Sequence, residues 1–193
     1  MNALKIISAA VLVSTSLAAA QAHAQEKFYA GGSIGSSNID ESIAAGLITS
    51  GPVDGKSNGF KAFGGYRFHP NFALELALVD LGKASYSGSF FGTPVTGGEV
   101  KVSGLNASAV ALHPVNPGFE LFAKAGLFAW DAKASDTTGG VPFSATNDGV
   151  NLSLGFGANY YFTKNVGARI EWEHFDLDPD KASMLSAGIV VKF

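Results

Sequence analysis

The stretch FELFAKAGLFAW, residues 119–130, has two faces that a strand in a soluble sheet would not combine. Taking every second residue gives Phe119, Leu121, Ala123, Ala125, Leu127 and Ala129, all apolar. The alternate set is Glu120, Phe122, Lys124, Gly126, Phe128 and Trp130, which mixes charge with bulky aromatics. A period of two marks a strand. A half-buried soluble strand sends its apolar set into a core and its polar set into water. Three large aromatics on the polar set argue against that arrangement. The pattern suits a strand whose apolar face meets lipid and whose mixed face points into a barrel narrow enough for side chains to fill.

The same alternation recurs along the chain. In GVNLSLGFGANYYF (149–162), Val150, Leu152, Leu154, Phe156, Ala158, Tyr160 and Phe162 oppose a set of Asn, Ser, Gly and Tyr. In residues 165–177, Val166, Ala168, Ile170 and Trp172 oppose Arg169, Glu171 and Glu173. Phe72, Leu74, Leu76 and Leu78 oppose Glu75, and Phe60, Ala62, Tyr66 and Phe68 oppose Lys61 and Arg67. The last residues place Leu185, Ala187, Ile189, Val191 and Phe193 opposite Ser186, Gly188 and Lys192. Glu26 to Asn38 follows the pattern less clearly. From Val100 to Leu112 the parity slips near Ser103–Leu105, which predicts a bulge there.

These segments predict eight strands. Three connections are short and rich in turn formers: 69–71, 113–118 and 163–165. They alternate with longer polar or Gly-rich segments near 39–56, 83–97 and 134–148, and with the brief DPDK at 178–181. Short turns on one side and loops on the other is the plan of an outer-membrane barrel. The expected fold is all-β, an eight-stranded antiparallel transmembrane up-and-down β-barrel with both termini on the short-turn, periplasmic side.

The bulk composition agrees. Of 193 residues, 47% are hydrophobic and only 15% charged, against about 25% in an ordinary soluble domain. The net charge of −3 has no basic excess, so a nucleic-acid partner is not expected, and the absence of cysteine rules out a disulfide framework. Lys5, the apolar run Ile6–Ala20 and the small residues of Ala22-His23-Ala24 read as a secretory signal peptide cut between Ala24 and Gln25. Residues 1–24 are thus the expected signal and 25–193 the barrel domain. No later apolar run approaches the ~20 residues of a membrane helix.

KAFGGYRFHPNFALELALVDLG (61–82), FELFAKAGLFAW (119–130) and GARIEWEHFD (167–176) resemble strands of the OmpA-type eight-stranded membrane domain. In plan the chain is similar to the small barrel-only members, such as OmpX and NspA, because a strand runs to the final residue. The resemblance implies an outer-membrane barrel of the porin type in the cell envelope, with mobile surface loops and a ladder of interior charges. By that resemblance Glu75, Lys124, Arg169 and Glu171 occupy ladder positions. The chain departs from the family in carrying Asn159 where another acid can stand.

Few residues could carry chemistry. Glu75, Glu120, Lys124, Arg169, Glu171 and Glu173 are expected to form an interior ionic network, because buried charges demand partners. A salt-bridged plug gives a structural or surface-interaction protein; a polar pathway gives a narrow channel or small-ligand uptake barrel. His174 next to Ser183 and Ser186 raises a third reading, a lipid A-modifying enzyme, but His174 shares parity with Trp172 and belongs to an outward aromatic girdle. No catalytic set, metal cluster or cofactor motif is present. Phe193, Val191 and Ile189 resemble the terminal signal read by the outer-membrane assembly machinery. The expected partners are outer-membrane lipids and lipopolysaccharide and that machinery; the loop sequences specify no ligand.

Overall fold

The computed structural model describes residues 27–39, 53–138, 140–178 and 180–193. The expected cleavage between Ala24 and Gln25 and most of the 39–56 connection lie outside these residues. Eight long strands follow in chain order: β1 (Phe28–Ile39), β2 (Lys56–His69), β3 (Phe72–Phe90), β4 (Thr93–Asn116), β5 (Phe119–Thr138), β6 (Val141–Tyr161), β7 (Val166–Asp176) and β8 (Lys181–Lys192). A two-residue stub, Val53–Asp54, also pairs with β3 at Tyr86 and Ser85. Each strand is antiparallel to the next, and β8 pairs with β1 from Lys192–Tyr29 to Ala182–Ile39. The sheet therefore closes on itself, which satisfies backbone groups that lipid could not.

Parity decides what each face meets. The outside carries Leu74, Leu76, Leu78, Leu127, Val150, Leu152, Leu154, Phe156 and Ile170, all exposed. The inside carries the opposite set, so the two faces of residues 119–130 are resolved as the pattern requires: Leu121 and Leu127 exposed, Phe122, Lys124, Phe128 and Trp130 buried. Tight turns sit at the end that holds Lys27 and Phe193. Longer hairpins rise from the other end.

Two sequence expectations need correction. Strand β4 contains no slip near Ser103–Leu105. Its even-numbered residues face inward from Val100 to Leu112, and its register with β5 is unbroken from Glu99–Ser135 to Pro114–Glu120. The parity looked broken because the interior changes chemistry along the strand, from Asn106 and Ser108 to Val102 and Val100. The bulge lies on the neighbouring strand instead, where Leu81 and Gly82 together oppose Val102. Gly82 has φ +77°, a left-handed value glycine adopts without strain. Its N–H donates to Asp80 Oδ1 (2.8 Å), and the Lys83 N–H donates to Ser57 Oγ (2.8 Å).

Second, residues 83–97 and 134–148 are not open loops. They extend β3 to Phe90, start β4 at Thr93, extend β5 to Thr138 and start β6 at Val141. The Ser, Thr and Gly that suggested loops lie on a sheet wall that rises beyond the apolar belt.

Candidate functional site

The interior is layered. Toward the hairpin end it is apolar: Phe128 and Phe175 pack with ring centroids 4.6 Å apart, among buried Leu81, Val100, Val102 and Met184. Beneath them lies a charged layer. Lys61 Nζ bonds Glu171 and sits 2.5 Å from Glu173 Oε2. Lys124 Nζ reaches Glu171 Oε1 (2.6 Å), Glu173 Oε1 (2.5 Å) and Glu75 Oε1 (3.2 Å). Arg169 grips Glu75 with two N–H groups, Nη1 to Oε2 at 2.8 Å and Nη2 to Oε1 at 3.3 Å, and touches Glu171 Oε1 at 3.3 Å. Three cations face three carboxylates, and all six are buried. The guanidinium of Arg169 lies between the rings of Phe63 (4.3 Å) and Phe122 (4.1 Å).

Small residues across the strands make room for this layer. Glu75 is flanked by Gly65 and Ser108, Glu171 by Gly157 and Ser186, Arg169 by Asn159 and Gly188. Gly155 separates Lys124 from Glu173. Eight strands leave an interior only as wide as its side chains, so a long charged group needs a small neighbour. Gly65 has a further task. The Tyr29 ring lies over it, and from there the Tyr29 hydroxyl donates to Glu75 Oε2 at 3.0 Å. A Cβ at Gly65 would overlap that ring. Gly65→Ala is therefore expected to displace Tyr29 from Glu75 and to lower stability by about 1–3 kcal/mol, measured by urea unfolding in detergent. An unchanged midpoint would show that the ring can move freely.

The six expected network residues do not form one group. Five meet in the charged layer; Glu120 pairs separately, nearer the termini, with Arg67 Nη2 (2.6 Å) and the Asn159 Nδ2 donor (3.2 Å). Sequence reasoning missed Lys61 and Arg67 as members, although both lie on the inward parity of β2. A cavity of about 10 Å³, the room of one water, lies between the two groups. Asn159 Oδ1 and Arg169 Nε, both buried without a protein partner, belong to residues that line it. His174 stacks on Trp172 at 6.1 Å and lies 3.6 Å from Asp176 Oδ1. Ser183 is its partner across the strands, while Ser186 is turned inward and buried.

A closed eight-stranded ring with an apolar outside and a charged inside has a counterpart among known families. Residues 7–193 match the model of the outer membrane protein beta-barrel domain. The chain belongs to that family. It is 26% identical over 179 residues to outer membrane protein A of Klebsiella pneumoniae, covering 86% of this chain and 51% of the relative. The chain thus spans about half the length of the curated relatives it matches. In fold it is similar to Ail, the attachment invasion locus protein of Yersinia pestis, with a TM-score of 0.58 at 19% identity over 88% of this chain and 100% of that one. It is also similar to Neisserial surface protein A, with a TM-score of 0.59 at 20% identity over 86% and 97% of the two chains. This is an outer-membrane β-barrel protein of the OmpA-related group, with a salt-bridged interior.

Proposed function

We propose that this barrel is a closed anchor with both termini in the periplasm, and that its working part is the sheet wall at the opposite, extracellular end. The reading is supported above all by one observation. Strand β6 pairs with β5 along its whole length, but with β7 only from Ser153 to Tyr161. Residues 141–152 therefore carry an edge with no strand on it among the described residues, and Val141 to Asp148 are exposed on both faces. A free edge can take up an extended segment of a partner protein by main-chain hydrogen bonds.

The competing reading is a narrow channel. The apolar layer around Phe128 and Phe175 and the paired charges below it fill these levels of the interior with buried side chains, which favours the anchor. Single-channel recording in planar bilayers is expected to give no discrete openings; a stepwise conductance would favour uptake. An enzymatic role gains no support from the curated relatives, which are named outer membrane protein A. The proposal includes removal of residues 1–24 during export and recognition of Phe193, Val191 and Ile189 by the assembly machinery. It also includes contact with lipopolysaccharide in the outer leaflet.

A further inference from the structure

Two hairpins end side by side at the top of the wall, joined through the Val95–Thr138 pair of β4 and β5. Each closes on a two-residue loop. Phe91 and Gly92 lie between the paired Phe90 and Thr93, and Gly139 and Gly140 between the paired Thr138 and Val141. Hairpin loops of this length favour positive φ at their central residues, which glycine and asparagine adopt readily. The second hairpin has glycine at both positions. The first has φ +84° at Gly92 but also φ +47° at Phe91, the only non-glycine residue with positive φ among the described residues. A bulky side chain in that region is strained. The strained backbone holds a ring in solvent, for Phe91 is 83% exposed. Strain retained at an exposed aromatic points to a use for the side chain.

Val141 and Phe143, beside the second loop, are 67% and 54% exposed. No Asp, Glu, Lys or Arg occurs in 84–98 or 137–147. The tips therefore meet a partner with apolar side chains and not with charge. Phe91, Val141 and Phe143 together can bury about 600 Å² at most, whereas a specific protein interface takes about 800 Å² from each partner. The tips also project into open space: a Cβ at Gly92 or Gly140 would meet nothing. A lipid surface demands neither area nor a pocket, because it closes around the apolar groups that enter it. The barrel's own bilayer is out of reach. Leu78 stands in the last apolar row of the outer face and Asp80 begins the charged row above it. From Leu78 to Phe90 the strand climbs about 30 Å, at 3.4 Å per residue and a tilt near 40°. The headgroup zone is only about 5–8 Å deep.

We infer that Phe91, Val141 and Phe143 form an apolar tip that inserts into a facing, zwitterionic lipid bilayer. This rests on the proposed orientation, with the hairpin end outside the cell. Insertion of so few side chains is weak and reversible, and many barrels on one surface add their contacts. The test mixes the folded full-length barrel, held in nanodiscs, with phosphatidylcholine vesicles and floats them on a density gradient. Wild type is expected to rise with the vesicles equally at low and high salt. Phe91→Ser/Phe143→Ser is expected to cut the vesicle-bound fraction about tenfold or more, since two large apolar surfaces are lost. Val115→Ser removes an exposed apolar side chain from the short-turn end and is expected to bind as wild type. Phe91→Asn separates binding from folding. Asparagine suits the loop, so this variant is expected to melt no earlier than wild type while its binding falls several-fold. No flotation of wild type, flotation that high salt abolishes, or an equal loss in Val115→Ser would overturn the apolar tip. Orientation is read separately, from labelling of Ser144→Cys by an impermeant maleimide on intact cells, the chain having no other cysteine. Flotation without labelling would leave the tip standing and refute the orientation.

Discussion

Arg169→Glu is expected to destabilise the folded barrel by several kcal/mol, seen as a lower temperature in a heat-dependent gel-shift assay. The charged layer holds three cations, Lys61, Lys124 and Arg169, against Glu75, Glu171 and Glu173. The substitution leaves two cations for four carboxylates, all in a desolvated interior. Breaking one buried pair costs about 3–5 kcal/mol because the abandoned charge has no water to return to. The variant also loses the two ring contacts that hold the guanidinium between Phe63 and Phe122. Glu75→Arg in the same chain restores three against three, and its partner is the residue Arg169 grips through two hydrogen bonds. Partial recovery is expected. Full recovery is not, because the Tyr29 hydroxyl loses its acceptor and the new arginine lies outside the ring sandwich. Equal gel-shift temperatures for wild type and the single variant would mean that water reaches the layer.

The extent to which this layer is legible in the sequence depends on distance along the chain. Alternation is local, so the lipid-facing sets and the inward side of Glu75, Lys124, Arg169, Glu171 and Glu173 follow from parity alone. Which inward charges touch depends on stagger between strands far apart in sequence. Lys61 and Glu171 are separated by 110 positions yet share a bond. Lys61 and Arg67 carry the right parity on a segment rich in Phe and Gly, but nothing local shows that one enters the main cluster while the other pairs with Glu120. The wall was misread for a different reason. Above the membrane belt both faces of β6 meet water, so apolar and polar residues need not alternate, and a paired strand there has the composition of a loop. Strand β4 failed at the junction of these regimes, where its inward side passes from polar to apolar.

The end of the chain provides the other large effect, on assembly rather than on the finished fold. The closing seam between β8 and β1 ends with the Phe193 N–H donating to the Phe28 carbonyl (2.9 Å) and the Phe28 N–H donating to the Phe193 carbonyl (3.2 Å). The two rings stack at 6.5 Å. Ile189 and Val191 precede Phe193 at alternate positions, with Ile189 fully on the outer surface. Deleting Phe193 removes two hydrogen bonds at a water-facing rim, where freed groups can be solvated, each worth about 0.5–1.5 kcal/mol. Once folded, the barrel should therefore melt only slightly earlier. In the proposed terminal-signal reading the same residue acts before closure, when the β8 edge is unpaired and an open edge in lipid leaves backbone groups unsatisfied at several kcal/mol each. A chain that the assembly machinery fails to engage stays in that state or never enters the membrane. The deletion is expected to reduce folded barrel in cells several-fold while purified chain still refolds into detergent with near-normal melting. Normal assembly in cells would sink the terminal-signal reading; an equally large loss in detergent refolding would assign Phe193 to stability instead.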